Sequence, residues 1–153
     1  QYIRSGRVDV LLVIYSIFRQ KNREIFEEAV DSGVGIVART VLESGFLTGA
    51  YAPGHKFTGK DHRTRWDKKH LTEILEGVQN LKEWAVVPPY EKLSEVAIRF
   101  ALDHDAILSA LLGVQSPQEV EENVGVASLP PLERELKERL YTMYADRTKK
   151  FNP

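Results

Sequence analysis

The stretch Val8-Asp9-Val10-Leu11-Leu12-Val13-Ile14 ends in five consecutive apolar residues. A continuous run of this kind is typical of a strand that is covered on both faces, as in parallel sheets. Apolar residues at helical spacing predict a helix over 22–31, and a second apolar run predicts a strand over 35–39. A strand, a helix and a strand with short connections predict a βαβ unit whose two strands are parallel and adjacent.

The rest of the chain continues this alternation. Residues 41–65 are rich in glycine and polar residues and predict a long loop, and loops of this length are usually functional or mobile. A third strand is predicted over 106–112, and helices over 66–86, from an N-cap at Ser94, over 116–126 and after Pro130-Pro131. The sequence therefore predicts an α/β fold with three parallel strands and flanking helices.

Composition excludes several classes of function. A chain of 153 residues that is 42% hydrophobic and 28% charged is typical of one soluble globular domain. Its 21 basic and 22 acidic side chains nearly cancel, so we expect neither a nucleic acid nor a membrane as partner. The absence of cysteine removes thiol chemistry and fits a cytoplasmic location. The four histidines have no metal-ligand spacing, and we expect no metal site.

Three motifs resemble segments of the aldo-keto reductase family. Residues 39–49, Arg-Thr-Val-Leu-Glu-Ser-Gly-Phe-Leu-Thr-Gly, resemble the segment that follows the family's seventh strand. Residues 113–123, Gly-Val-Gln-Ser-Pro-Gln-Glu-Val-Glu-Glu-Asn, are similar to the segment after its eighth strand, and residues 8–16 to its sixth strand. The resemblance implies that residues 1–153 form one partial domain. This domain would be the C-terminal half of a (β/α)8 TIM barrel, from the sixth strand to the final helices, without the N-terminal half.

The family resemblance also implies an activity. Such barrels reduce small aldehydes and ketones, or oxidise alcohols, with NADPH or NADH bound across the carboxyl ends of the strands. Their catalytic aspartate, tyrosine, lysine and histidine lie on earlier strands, so this chain is expected to be catalytically incomplete, with no catalytic residue of its own. The chain does not start with methionine, and residues 1–6 look like the end of a helix, so we expect the natural polypeptide to begin further upstream.

The same resemblance implies a set of cofactor-binding residues. Glycines let the backbone approach a phosphate, and a neighbouring glutamate and asparagine can accept from and donate to an adenine ring. The expected set is Arg39, Leu42, Ser44, Gly45, Leu47, Gly49, Arg63, Gly113, Gln115, Glu119, Glu122 and Asn123. The alternatives are an ordinary surface loop at 42–49 and a solvated helix surface at 122–123.

Two arginines of this set have two interpretations each. Arg39 lies where relatives place an aromatic ring against the nicotinamide, and its guanidinium can stack there; alternatively it is a strand-end arginine paired with a carboxylate. Arg63 either reaches the cofactor pyrophosphate or is a solvated loop arginine.

Other positions bear on the choice of cofactor. Ser116 and Glu119 are typical of a helix capping box, and a carboxylate at 119 would repel a ribose phosphate, which favours NADH over NADPH. Two positions depart from the family pattern, because Leu12 replaces a glutamine that binds the carboxamide and Ala50 replaces a lysine.

A second hypothesis is a half-barrel that binds a nucleotide or serves as an assembly module without catalysis. Its strand edges at 10–14 and 106–112 would then be covered by partner chains in an oligomer, since long apolar edges favour association.

Overall fold

The computed structural model describes residues 2–144 and contains one parallel sheet. Its strands are β1 (Val10–Ile14), β2 (Gly35–Arg39) and β3 (Ile107–Leu111), in the spatial order β1-β2-β3. β2 pairs in parallel with both neighbours, so β1 and β3 are the edges. The prediction of three parallel strands with flanking helices is confirmed. The helices are α1 (Phe26–Asp31), α2 (Lys68–Ala85), α3 (Leu93–Leu102), α4 (Pro117–Gly125) and α5 (Arg134–Tyr144).

The boundaries differ from the predictions at two helices. The first half of the predicted helix 22–31 is a 3-10 helix, Lys21–Ile25, and only Phe26–Asp31 is α-helical. The third helix begins at Leu93, with Lys92 at the N-cap position, so the prediction of Ser94 as N-cap is wrong. The physical reason is Glu95, whose carboxylate accepts hydrogen bonds from the backbone N–H groups of Glu91 and Lys92 at 2.7 and 3.0 Å and caps the helix one turn from its start.

The core lies between one face of the sheet and the helices. Tyr15, directly after β1, is fully buried, with its ring 5.1 Å from that of Phe26 and 5.4 Å from that of Phe100. In β2 the side chains of Ile36 and Ala38 are also fully buried. These residues attach the helices to the sheet, because apolar area removed from water is the main driving force of such packing.

The opposite face of the sheet is open. Val10 and Leu12 of β1 are 52% and 55% exposed, and Leu108 of β3 is 69% exposed. The prediction that β1 is covered on both faces is therefore wrong for residues 2–144, since the described helices cover only one face. Leu108 lies over Gly35, where an added Cβ would be 2.3 Å from its Cδ1 atom.

Candidate functional site

The carboxyl ends of the three strands meet at one edge of the sheet. Arg39, the last residue of β2, is in register with Ile14 of β1 and Leu111 of β3. The turn at 40–45 leaves β2 at this edge, and the segment from Gly113 to α4 leaves β3 there. In parallel α/β proteins, ligands bind at the carboxyl ends of the strands, so this edge is the candidate site.

The turn at 40–45 has an uncommon backbone. Thr40, Glu43 and Ser44 have φ angles of 60°, 48° and 54°, and Gly45 has 85°. Only glycine adopts this left-handed region without strain, so three other residues there need support from their surroundings. Among residues 2–144 the N–H of Ser44 has no hydrogen-bond acceptor, whereas the N–H groups of Glu43 and Gly45 donate within the turn at 2.9 Å. The N–H groups of Val41 and Leu42 also have no acceptor in this part of the chain, so the turn leaves several backbone donors, that of Ser44 among them, without a protein partner at the edge.

Glu43 supports the turn from the side of β1. Its carboxylate is fully buried and accepts hydrogen bonds from Ser16 Oγ at 2.8 Å and from Arg19 Nε at 2.5 Å. Burial raises the pKa of Glu43, while Arg19 and the hydroxyl of Ser16 act in the opposite direction. Glu43 is not among the residues expected from the sequence to bind the cofactor. The available signal was a carboxylate between the otherwise buried positions Val41 and Phe46.

Arg63 supports the same turn from the long loop. Only 9% of the residue is exposed, so the interpretation as a solvated loop arginine is wrong. Its Nη1 donates to the carbonyl of Ser44 at 2.9 Å, its Nη2 to Tyr51 Oη at 3.0 Å, and its Nε to Asp61 Oδ1 at 3.0 Å. The guanidinium lies 4.2 Å from the centre of the Phe57 ring. Arg63 thus attaches residues 51–66, called the strap below, to the turn after β2.

Asp61 makes this attachment dependent on pH. Hydrogen bonds from Arg63 lower the pKa of Asp61 from its ordinary 3.8 to about 2. Because the folded-state pKa is the lower one, the stabilisation is present above pH 4 and is lost as the pH falls from about 4 to about 2. Asp61 orients the Arg63 guanidinium, so we expect the contact of Arg63 with the Ser44 carbonyl to loosen in that window.

Fluorescence of Trp66, whose ring is 5.5 Å from that of Phe46 directly after the turn, reports this loosening. The chain has two tryptophans, so the titration uses a Trp84→Phe background. An Asp61→Asn variant should lack the transition between pH 4 and pH 2, and an identical transition in that variant would contradict this assignment.

The other residues selected after β2 lie at varied depths. Leu47 is fully buried, so its side chain belongs to the core and only its backbone remains for a ligand. Leu42 accepts the N–H groups of Gly45 and Leu47 at its carbonyl. Gly49 faces α2, because an added Cβ would be 3.2 Å from Lys82 Cδ and its carbonyl accepts from Lys82 Nζ at 3.2 Å. Ser44 and Gly45 are therefore the members of this group nearest to ligand-binding geometry.

The residues selected around α4 form its cap and one of its faces. Ser116 Oγ accepts the N–H of Glu119 at 3.2 Å, which confirms Ser116 as N-cap. The carboxylate of Glu119 accepts the N–H of Gln115 at 2.7 Å, one residue before the position of a standard capping box. Glu122 forms an ion pair with Lys92 at 2.9 Å, and Asn123 is partly exposed.

A shallow depression of about 540 Å³ lies beside the start of α4. Of the selected residues only Gln115 lines it; the other lining residues are Val114, Ser116, Pro117, Val120 and Glu121. Glu119, Glu122 and Asn123 do not line it. Val114 and Val120, which were not selected from the sequence, form the apolar wall of this depression. They are 45% and 43% exposed.

The first strand and the end of the second complete the edge. Arg39 is exposed and has no carboxylate partner among residues 2–144, so the structure does not support its interpretation as a paired strand-end arginine. Leu12 lies two residues before the end of β1 on the open face, where it has no hydrogen-bonding capacity.

Residues 2–144 contain neither a cluster of metal ligands nor a membrane-spanning helix. No group of three or more histidine, aspartate or glutamate side chains in this part is placed to hold a metal ion. No helix in it has the length and apolarity needed to cross a membrane.

Comparison with protein families gives a match over nearly the whole chain. The model of the Aldo/keto reductase family matches residues 5–142. The NADH-specific methylglyoxal reductase of Escherichia coli is 26% identical over 136 residues, covering 84% of this chain and 40% of that protein. The L-glyceraldehyde 3-phosphate reductase of the same species is 28% identical over 99 residues, covering 61% and 29%. The chain thus spans less than half the length of these relatives.

Solved structures show the same fold. The holo form of the aldo-keto reductase AKR11C1 from Bacillus halodurans has a TM-score of 0.69 and 22% identity, covering 93% of this chain and 44% of that one. The glycerol dehydrogenase AKR11B4 from Gluconobacter oxydans has a TM-score of 0.76 and 20% identity, covering 94% and 44%. These relatives are (β/α)8 barrels, and the three parallel strands are consistent with part of such a barrel.

Proposed function

Because the chain belongs to the aldo/keto reductase family, we propose that it is the C-terminal, cofactor-binding half of an NAD(P)H-dependent carbonyl oxidoreductase. One observation carries this proposal: the braced left-handed turn with the available N–H of Ser44 lies at the carboxyl edge of a parallel sheet. Backbone donors in such turns are suited to phosphate oxygens.

The residues present fit a dinucleotide at its phosphate end. Ser44, Gly45 and Gly113 would hold the pyrophosphate, and the depression beside Gln115 would receive the ribose on the adenine side. Glu122 and Asn123 would bind the adenine, with Glu122 shared between that ring and Lys92. Arg39 would lie against the nicotinamide. A bound reduced nicotinamide supplies the hydride for carbonyl reduction.

The substrate class follows from the relatives. Methylglyoxal and L-glyceraldehyde 3-phosphate, which appear in the names of two relatives, are small carbonyl compounds. We therefore assign a small aldehyde or ketone to the complete protein. The absence of cysteine supports a reducing compartment such as the cytoplasm. The aspartate, tyrosine, lysine and histidine expected from the family would come from polypeptide outside these residues.

Titration with NADH and NADPH, followed by nicotinamide fluorescence, tests both binding and cofactor preference. We expect saturable binding with NADH bound several times more tightly, because the carboxylate of Glu119 repels a ribose phosphate. Glu119→Gln keeps an acceptor for the Gln115 N–H. It should reduce the difference in affinity between NADH and NADPH by tightening the binding of NADPH alone. No saturation at millimolar cofactor would contradict the proposed function, and tighter binding of NADPH would contradict the preference.

An assembly module is the second candidate, favoured by the open sheet face. Leu12 and Leu108 are more than half exposed on it, and within residues 2–144 no strand pairs with the outer edge of β1 or of β3. Two measurements distinguish the candidates. The first is the turnover of methylglyoxal by the NADH-saturated chain, and the second is the particle mass of the chain in solution. No turnover by the 153-residue chain alone, with turnover once it is joined to a five-stranded aldo-keto reductase segment, favours the oxidoreductase half. A stable oligomer without turnover in either form favours the module.

A further inference from the structure

We propose that Glu43 is a positioning residue that, together with Arg63, holds the 43–45 turn from two sides in the conformation that leaves the Ser44 N–H available for a phosphate. This inference rests on the proposed function and assigns a role to a carboxylate that touches no cofactor itself. Its effect on the cofactor passes through the backbone of Ser44.

The turn needs such support because its backbone is strained. Glu43 and Ser44 are consecutive residues other than glycine with φ near 50°. Each such residue costs of the order of a kilocalorie per mole and persists only where the surroundings over-determine it. The local hydrogen bonds, from Glu43 N to Thr40 O and from Gly45 N to Leu42 O, join residues only three apart. They do not connect the turn to the sheet or to the strap.

The side chain of Glu43 provides the connection toward β1. Its two oxygens accept from Ser16 and Arg19, and these two residues are themselves joined by backbone hydrogen bonds in both directions, at 3.3 and 3.1 Å. Ser16 Oγ also accepts the N–H of Arg19 at 3.1 Å. Because this small closed turn follows β1 directly, Glu43 is held by a rigid part of the molecule.

Arg63 provides the connection on the other side. Its Nη1 donates to the carbonyl of Ser44, the same residue whose N–H has no acceptor in the described part of the chain. An added Cβ at Gly45 would be 3.4 Å from that nitrogen, which shows how closely the guanidinium approaches the turn. The peptide groups on both sides of Ser44 are thus fixed, one by Glu43 and its partners and the other by Arg63.

Three variants of the β1-side support test the inference. Glu43→Gln and Arg19→Gln each remove one charge of the buried pair. Ser16→Ala leaves both charges, removes the hydroxyl that donates to Glu43 and accepts the Arg19 N–H, and serves if the first two variants fail to fold. Glu28→Gln is the matched control, because Glu28 forms an exposed pair of similar length, 2.6 Å, with Arg4. The readouts are amide hydrogen exchange over residues 40–47, the dissociation constant for NADH and the urea midpoint.

We expect about tenfold faster exchange over 40–47 and an approximately tenfold higher dissociation constant in the Glu43→Gln chain, as lost charge-assisted bonds imply. The double variant Glu43→Gln with Arg19→Gln should change the exchange rate and the dissociation constant no more than either single variant does. Glu28→Gln should match the parent in both readouts. Ser16→Ala should change both in the same direction by a smaller factor.

Two results would overturn the inference. If Glu43→Gln and Ser16→Ala exchange their amide hydrogens over residues 40–47 at the same rate as the parent, Glu43 does not support the turn. Faster exchange with an unchanged dissociation constant shows that the turn does not position the cofactor. If the parent itself does not bind NADH, the proposed function fails and the cofactor-positioning role fails with it, while the amide exchange rates still decide whether Glu43 supports the turn from the β1 side.

Discussion

Replacing Asp103 with alanine is expected to lower the free energy of unfolding by about 3–5 kcal/mol, as removal of one partner from a buried ion pair does. Only 3% of its side chain is exposed, and its carboxylate pairs with Arg99 and accepts the backbone N–H of Leu132 at 2.6 Å. The substitution leaves a guanidinium that is 12% exposed without its counter-charge. It also removes the link between the end of α3 and the chain that leads into α5.

Urea denaturation measures this loss, with Asp105→Ala as the matched control. Asp105 is exposed two residues away, so its replacement should change the free energy of unfolding by less than about 0.5 kcal/mol. Equal midpoints for the two variants would contradict the assigned role. The contacts of Asp103 with Arg99 and with the backbone of Leu132 place it in the structural framework.

Replacing Phe100 with alanine is expected to cost about 3–5 kcal/mol of unfolding free energy, the range for a fully buried aromatic residue. Phe100 of α3 is fully buried, stacks on Tyr15 with ring centres 5.4 Å apart, and contacts the Tyr141 ring of α5 at 5.2 Å. The cavity would open where the sheet, α3 and α5 meet, so several elements lose contacts together.

Thermal and urea unfolding of Phe100→Ala and Phe100→Leu measure this cost. Leucine fills part of the volume and should recover a substantial share of the stability. Val124→Ala is the control, because Val124 is 67% exposed on α4 and its truncation creates no internal cavity. A Phe100→Ala chain as stable as the Val124→Ala chain would contradict the packing described above.

Local sequence was sufficient for the strands, the order of the elements and the motif at the sheet edge. The apolar runs at 10–14 and 35–39 match β1 and β2 residue for residue, because strand formation by consecutive β-branched and leucine residues is a local preference. The serine at 116 was likewise predictable as a cap, since its acceptor and the donor at Glu119 are three residues apart. Ser94 was mispredicted because the competing side chain of Glu95 caps the same helix from inside.

The roles of Glu43 and Arg63 were not predictable in the same way. Glu43 meets Ser16 across 27 residues, and Arg63 meets Ser44 across 19, so the partners become neighbours only after the strands have paired. A sequence motif shows which residue types occur near a cofactor site. It does not show whether a guanidinium is directed at a ligand or at a backbone carbonyl.

By itself, the sequence determined which segments are strands and helices and that the strands are parallel, because short-range periodicity and short connections decide both. Only the tertiary structure decided that Leu12 lies on an open face, that Arg63 is buried and that Glu43 braces the turn. The physical reason is that burial and hydrogen bonding depend on the neighbours that folding brings together. Apolar side chains favour burial, but only the three-dimensional arrangement decides whether other residues cover them.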